Sequence, residues 1–301
     1  MRTEITDDPE AFWSLAREFL FADPVLHGVL ITNVDLRRSG AVTDPAPATY
    51  LAVRADSGAV VGAAMRTPPQ AIWLSAMPTH AVEAATRALL DSCPDASGVT
   101  GVDPGAALFA KEWERRTGAV AHPRLRERIH RLDAVTPPRP VPGHWRPARP
   151  ADRDLLIEWT GGFEVDAAVS PTAHPTSGET TEAAAEKERA RYGVRVDLRV
   201  SEGRAWLWED DGPASYVGAT RRHGGIVRIA PVYTPRGRRG NGYASALVAA
   251  VSQAALDAGA RACSLFTDLA NPTSNKIYAA VGYRPVRDVT VYDFVPTGPR
   301  P

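Results

Sequence analysis

The stretch 236–259, RGRRGNGYASALVAAVSQAALDAG, constrains the fold more tightly than any other part of this chain. A basic, glycine-rich turn runs without interruption into an amphipathic helix. A strand-like run precedes it (226–234, IVRIAPVYT) and another follows it (261–267, RACSLFT). The local unit is strand, turn, helix, strand. Glycines let the backbone point successive N–H groups inward, and the first turn of a helix leaves further N–H groups free at its positive end. Such a turn binds phosphate. Arg236, Arg238 and Arg239 crowd the same turn and strengthen that expectation.

Three phosphate-binding patterns compete for it. Gly240-Asn241-Gly242 could open a dinucleotide fingerprint, but Ser245 stands where its third glycine belongs, and the basic PRGRR separates strand from glycines. Too little chain follows Asp268 to complete a doubly wound sheet. A P-loop needs Gly-Lys-Ser/Thr, which the chain lacks. The third pattern fits: Arg239-Gly240-Asn241-Gly242-Tyr243-Ala244 follows Arg/Gln-x-x-Gly-x-Gly/Ala. Here the sequence resembles the GNAT superfamily of acyl-CoA-dependent N-acyltransferases, whose pyrophosphate loop has that form. Downstream, NPTSNKIYAAVGY at 271–283 is similar to the family's second signature, Asn…Ser…Tyr…Gly-Phe/Tyr. The two motifs stand in the family's order, about thirty residues apart, as an intervening helix and strand require.

A chain of 301 residues with 44% hydrophobic residues is long and apolar enough for two ordinary domains. Lys+Arg and Asp+Glu are both 35, so no global field draws in nucleic acid or a membrane surface. An anionic ligand must be held by local charge. Two cysteines, Cys93 and Cys263, make no disulfide framework, and buried, inert thiols in a reducing cytoplasm are expected. The polar, acidic residues 1–9 do not read as a signal peptide, and no apolar run is long enough to span a bilayer. The histidines show no metal-ligand spacing, so no metal is expected; His223, beside Gly224-Gly225, reads as a hairpin-turn residue.

In order, 10–21 has helical spacing, and 24–34 is an apolar stretch of undecided type. Residues 49–54 and 59–66 read as a hairpin across Ala55-Asp-Ser-Gly58, with a third strand at 71–76. A helix at 80–90, a short strand at 99–102, a helix at 106–116 and a strand at 125–132 follow. The proline-rich 136–150 (TPPRPVPGHWRPARP) reads as a stiff extended spacer. Beyond it come a helix from Asp152 to Trp159, a loop at 161–178, an exposed helix at 179–191, strands at 197–200, 205–209 and 215–222, the central unit, and an alternating strand at 288–295.

The pattern repeats. Val61-Gly62-Ala63 and Val217-Gly218-Ala219 both lie in hairpin second strands after acidic glycine turns, and Asp103-Pro104 parallels Asn271-Pro272. The first copy has Met77-Pro78-Thr79-His80 where the arginine-glycine turn should be, and no tyrosine matching Tyr278. The expected fold is α/β, a mixed, largely antiparallel sheet flanked by helices, in two tandem GNAT-like domains. These are a degenerate copy at 1–135 without a CoA loop, a linker at 136–143, and a catalytic copy at 144–301.

The resemblance implies a set of roles. The backbone of Arg239, Gly240, Asn241, Gly242, Tyr243 and Ala244 would hold the CoA pyrophosphate, with Asn241, Arg238 and Arg239 adding polar contacts. Val232, Tyr233 and Thr234 would guide the pantetheine arm. Pro231 marks that strand as an edge or bulge. Tyr278 would be the general acid toward the CoA sulfur, its ordinary pKa near 10 keeping it protonated at neutral pH. Asn271 and Asn275 would cap the following helix and face CoA. Many family members place a carboxylate on the strand before the loop, yet 226–234 holds only Arg228 as a charge. Water, or Glu164 near Trp159 and Phe163, is left as the base.

The expected function is therefore transfer of an acetyl group from acetyl-CoA to a primary amine of a small molecule or protein, by a monomer or homodimer. A non-catalytic acyl-CoA-binding sensor or partner module is the alternative. The missing strand carboxylate favours it, and Tyr278 opposes it.

Overall fold

The computed structural model describes residues 1–44, 46–167 and 181–297. The chain folds as two compact units: Met1–Ile129 together with the segment that begins at Pro285, and His130–Arg284.

The first unit is built from β1 (Arg2–Thr6), α1 (Pro9–Ala22), α2 (Gly28–Arg38), β2 (Thr49–Arg54), β3 (Val60–Arg66), β4 (Ile72–Leu74), α3 (Thr79–Ser92), β5 (Gly98–Val102), α4 (Gly105–Thr117) and β6 (Val120–Leu132). The second contains β7 (His144–Pro147), α5 (Arg153–Asp166), α6 (Thr181–Ser201), β8 (Ala205–Glu209), β9 (Pro213–Ala219), β10 (Ile226–Tyr233), α7 (Tyr243–Asp257), β11 (Ala262–Asp268) and α8 (Pro272–Val281). The closing strand is β12 (Arg284–Val295).

In the first unit the sheet order is β1-β2-β3-β4-β5-β12-β6. Successive residues of β2 face opposite ways: Leu51 and Val53 pack among Val82, Leu89 and Phe109 of α3 and α4, while Tyr50 packs with Phe12, Leu20 and Leu30 of α1 and α2. The sequence assigns β12 to the second domain, but it belongs to the first unit. It runs antiparallel to β5 from Val289↔Val102 to Asp293↔Gly98. Arg128 donates to Asp288 at 2.6 and 3.0 Å, Arg124 donates to Asp293 at 3.0 Å, and Phe294 stacks on Trp113 with ring centroids 4.8 Å apart. Alternation marked this segment as a strand without specifying its partner.

The second unit's sheet runs β11-β10-β9-β8-β7. Val217 and Ile229 face α7, among Leu247, Val248 and Val251; Tyr216 and Leu207 face the other way, among Leu156, Ile157 and Val196 of α5 and α6. Each unit thus has a sheet with helices on both faces. The hairpins β2–β3 and β8–β9 turn at left-handed Gly58 and Gly212, and α4 and α8 both end on left-handed Gly118 and Gly282. The two units are copies of one design.

Several expectations change. Residues 161–166, read as loop, continue α5. Residues 197–200, read as strand, complete α6. The spacer yields a strand, β7, that pairs with β8 from His144↔Glu209 to Pro147↔Trp206. The polar start of the chain is the exposed edge strand β1, and the undecided 24–34 region gives α2. Ala167 is the C-cap of α5, and residues 168–178 of the expected loop lie outside the described residues. Among the described residues, no helix is long and apolar enough to cross a membrane, and among those same residues no group of three or more His, Cys, Asp and Glu is placed to hold a metal ion. Cys93 and Cys263 are buried and free, and burial pushes the Cys263 thiol up to about 12.

Candidate functional site

The site begins where two strands part. β10 and β11 are in parallel register from Ile226↔Ala262 to Arg228↔Ser264, and both continue beyond with no further paired residues. On its other side β10 stays paired with β9 through Val232↔Val217 and Tyr233↔Tyr216, with a bulge between Ile229 and Val232. Pro231, which cannot donate to a ladder, lies in that bulge as expected.

Past β10 the chain makes a short 3-10 turn at Arg236–Arg238 and reaches α7. Gly240 and Gly242 both have φ of 84°, a left-handed conformation that other residues rarely adopt. Gly242 is the N-cap of α7 and offers no side-chain cap. The first bond of the helix is Ala246 N–H to Gly242 C=O at 3.0 Å. Among the described residues, the N–H groups of Gly240, Asn241, Gly242, Tyr243, Ala244 and Ser245 reach no acceptor. Six consecutive donors at the positive end of a 15-residue helix make a cradle for an anion.

Side chains brace that loop from behind. Asn241 Nδ2 donates to the carbonyls of Arg238 at 3.0 Å and Arg239 at 3.4 Å. Arg238 reaches the carbonyls of Asp210 and Asp211 in the β8–β9 turn at 3.3 and 2.9 Å. The Tyr243 ring is buried in the core and its phenol donates to the Asp210 carboxylate, a bond that raises the phenol's pKa ahead of burial. Arg239 donates to the Thr234 carbonyl at 2.9 Å and to the carboxylate of Asp166, the last residue of α5. Arg236, with its side chain 83% exposed, lies 3.5 Å from the same carboxylate. Tyr233 is held between α5 and the loop: its ring centroid is 6.0 Å from that of Trp159 and 6.0 Å from the Arg239 guanidinium carbon. The carbonyl of Tyr233 accepts from Ser215 Oγ at 3.1 Å.

Asn271 is the N-cap of α8, its Oδ1 accepting from Ser274 N–H at 3.0 Å. Asn275 Nδ2 donates to the Asp268 carbonyl at 3.1 Å. The carboxamides of Asn241, Asn271 and Asn275 thus build turns. Tyr278 is 8% exposed, its ring edge-on to Tyr283, with no hydrogen-bond partner at its hydroxyl among the described residues; burial pushes its pKa well above the ordinary value.

Glu164 lies on α5, not in a loop. Trp159, Gly162 and Asp166 form the face of α5 turned to Tyr233 and Arg239. Gly161 faces Tyr192 of α6, 3.4 Å from where a Cβ would stand. Glu164, one turn further, shares that face, and its charge helps raise the Tyr192 pKa, behind burial. Sequence reasoning missed Asp166 and Asp210. Their partners are 73 and 33 residues away, and no local pattern announces such pairs.

Strands that part beside a helix N-terminus with free N–H groups make an α/β arrangement that can hold an anion at the parting. Residues 170–283 match the model of the Acetyltransferase (GNAT) family. The whole chain has the fold of a GNAT-family acetyltransferase from Colwellia psychrerythraea (10% identity, 97% of this chain and 100% of that one, TM-score 0.58). It is likewise similar to a GCN5-related N-acetyltransferase from Sphaerobacter thermophilus (15% identity, 96% and 94% covered, TM-score 0.59). A tandem GNAT protein from the clavulanic acid biosynthesis pathway also matches, at 14% identity over 100% of both chains with a TM-score of 0.54. No curated protein matches the sequence.

Proposed function

We propose that the second unit transfers an acetyl group from acetyl-CoA to a primary amine. The observation that carries this reading is the run of six unbonded N–H groups from Gly240 to Ser245, beside strands that part after Arg228. That cradle suits a pyrophosphate. The gap beside β10 gives Val232, Tyr233 and Thr234 the position of a strand edge along which a pantetheine arm would lie. Arg236, Arg238 and Arg239 supply the positive field, and Asn271 and Asn275 shape the turn on the far side.

In direct transfer the amine nitrogen attacks the thioester carbonyl, and the C–S bond breaks as the intermediate collapses. Tyr278 gives its proton to the departing sulfur. Burial raises its pKa, which keeps the phenol protonated through the working range and also makes it a weaker acid, so the donation depends on its position at the sulfur. The acceptor's surplus proton leaves through water, or through Glu164, and the phenol is reprotonated from solvent. The corresponding helix of the first unit, α3, has Pro78 as its N-cap and no glycine turn before it, so it lacks the left-handed glycine pair that shapes this cradle. A cytoplasmic setting suits a supply of acetyl-CoA.

Calorimetry with acetyl-CoA on the wild type and on Gly242→Asp tests the proposal. A carboxylate at the N-cap would fill and repel the anion site, so binding should vanish in the variant. If the wild type does not bind acetyl-CoA, the proposal is wrong. The absence of Asp or Glu from β10 favours one other reading, a non-catalytic acyl-CoA module. Binding without CoA release across a panel of amines would select it.

A further inference from the structure

Arg199, in the last turn of α6, is half-buried, and its NH1 is closed to solvent with no hydrogen-bond partner. Its stem lies on Gly218 of β9. A Cβ there would meet Arg199 Cδ at 3.0 Å, Pro231 Cδ at 2.9 Å and the Ala230 carbonyl at 3.0 Å. Any larger residue at 218 would displace the Arg199 stem, which lies over β9 beside the bulge of β10. Arg204 and Arg221 stand nearby, and both use one carboxylate, Glu202, at 2.7 and 2.5 Å. Their hydrogen bonds, Arg221's first, hold that carboxyl at about 2. Among the described residues, Arg199 is the cation of this group with no carboxylate in a salt bridge to it. The negative end of α6 favours a cation in its last turn but does not satisfy a buried guanidinium nitrogen, which costs free energy unless something pairs with it. Tyr216, two residues before Gly218 on the same face of β9, also buries a hydroxyl with no partner.

We infer that the acceptor is an amine that also carries a carboxylate, and that Arg199 is the residue that selects it. This rests on the N-acetyltransferase reading and names its substrate class. One unbalanced guanidinium calls for a monoanion, and its fork matches the two oxygens of a carboxylate. Placed against the Ala230–Pro231 bulge, it would hold the acid end of an amino acid while the amine points to the thioester.

The test uses full-length protein, acetyl-CoA, and a panel of amino acids each paired with its own primary amide, with phosphoethanolamine as a further acceptor. CoA release is followed for the wild type, Arg199→Lys and Arg199→Met, and calorimetry with acetyl-CoA accompanies each. The expected result is turnover of free acids, with kcat/KM about tenfold or more lower for the amides. Arg199→Met should raise KM for the acids by about the same factor, Arg199→Lys should recover part of it, and acetyl-CoA affinity should stay at wild type in both. Acids and amides used equally, no acid used at all, phosphoethanolamine preferred, or an unchanged KM in Arg199→Met each overturn the inference. If the wild type binds acetyl-CoA and one of those results follows, this inference alone fails; absence of acetyl-CoA binding removes the underlying function as well.

Discussion

Val141 Cγ1 lies 2.9 Å from where a Cβ on Gly242 would stand. A residue of the proline-rich segment thus closes one side of the anion cradle, and the N-cap of α7 is glycine for two separate reasons, space and a φ of 84°. Gly242→Ala is expected to cost about 1–2 kcal/mol from the left-handed backbone alone. It should also weaken acetyl-CoA binding about tenfold or more as the loop shifts. Adding Val141→Ala should relieve the steric part and leave the backbone part. Thermal unfolding and calorimetry on the single and double variants measure both, and acetyl-CoA affinity at wild type in Gly242→Ala would refute the assignment of the cradle.

Tyr278→Phe separates chemistry from packing. The hydroxyl has no partner to lose among the described residues, so the melting temperature and the acetyl-CoA Kd should hold steady. The kcat should fall about 10²- to 10⁴-fold if the phenol protonates the leaving thiolate. The folded pKa lies above the unfolded value near 10, so the unfolded chain gives up this proton first. Tyr278 therefore subtracts stability only as pH rises past about 10, and the Tyr278→Phe variant should lack that loss. A kcat within about threefold of wild type would remove Tyr278 from the mechanism.

Much of this was legible locally. Gly58, Gly212, Gly240 and Gly242 stand where turns demand left-handed backbone, and Asn271-Pro272 announces the start of α8. What was misread depends on distant contacts. Gly161-Gly162 signals a loop, yet both glycines lie inside α5 because aromatic rings of other elements close on them: a Cβ on Gly162 would stand 2.6 Å from Tyr233 Oη. The alternation at 197–200 imitates a strand, but Val196 and Val200, four apart, are the helix face that packs on β8 and β9. Asp288 and Asp293 find Arg128 and Arg124 some 160 and 169 residues away, which no window on the sequence reveals.

Asp166→Asn is expected to tighten acetyl-CoA binding. Its carboxylate occupies Arg239 and lies near Arg236, the two arginines of the cradle's own turn. Their side chains are 45% and 83% exposed, so releasing them is worth about two- to fivefold in Kd, less at high salt. Calorimetry at two ionic strengths checks this. Weaker binding in the variant would mean that Asp166 organises the loop and does not compete for it.

Arg146 ties β7 into the second unit. It forks onto Asp152 at 2.7 and 2.9 Å and onto Glu209 at 2.6 and 2.9 Å, with the three side chains only 13–24% exposed. Arg146 holds the Asp152 carboxyl below its ordinary value, helped by the Arg149 N–H. The folded pKa is depressed, so this stability is complete above the unfolded aspartate value of about 3.9 and is lost as pH falls through the lower folded value. Arg146→Met leaves two part-buried carboxylates facing each other and should cost about 2–3 kcal/mol at pH 7, below the fully buried range because water still reaches the pair. On acidification those carboxylates protonate and the repulsion disappears. The gap in melting temperature between wild type and variant should therefore narrow from pH 7 to about pH 3.5. A gap that stays constant over that range would show that Arg146 acts through its packing and not through its charge.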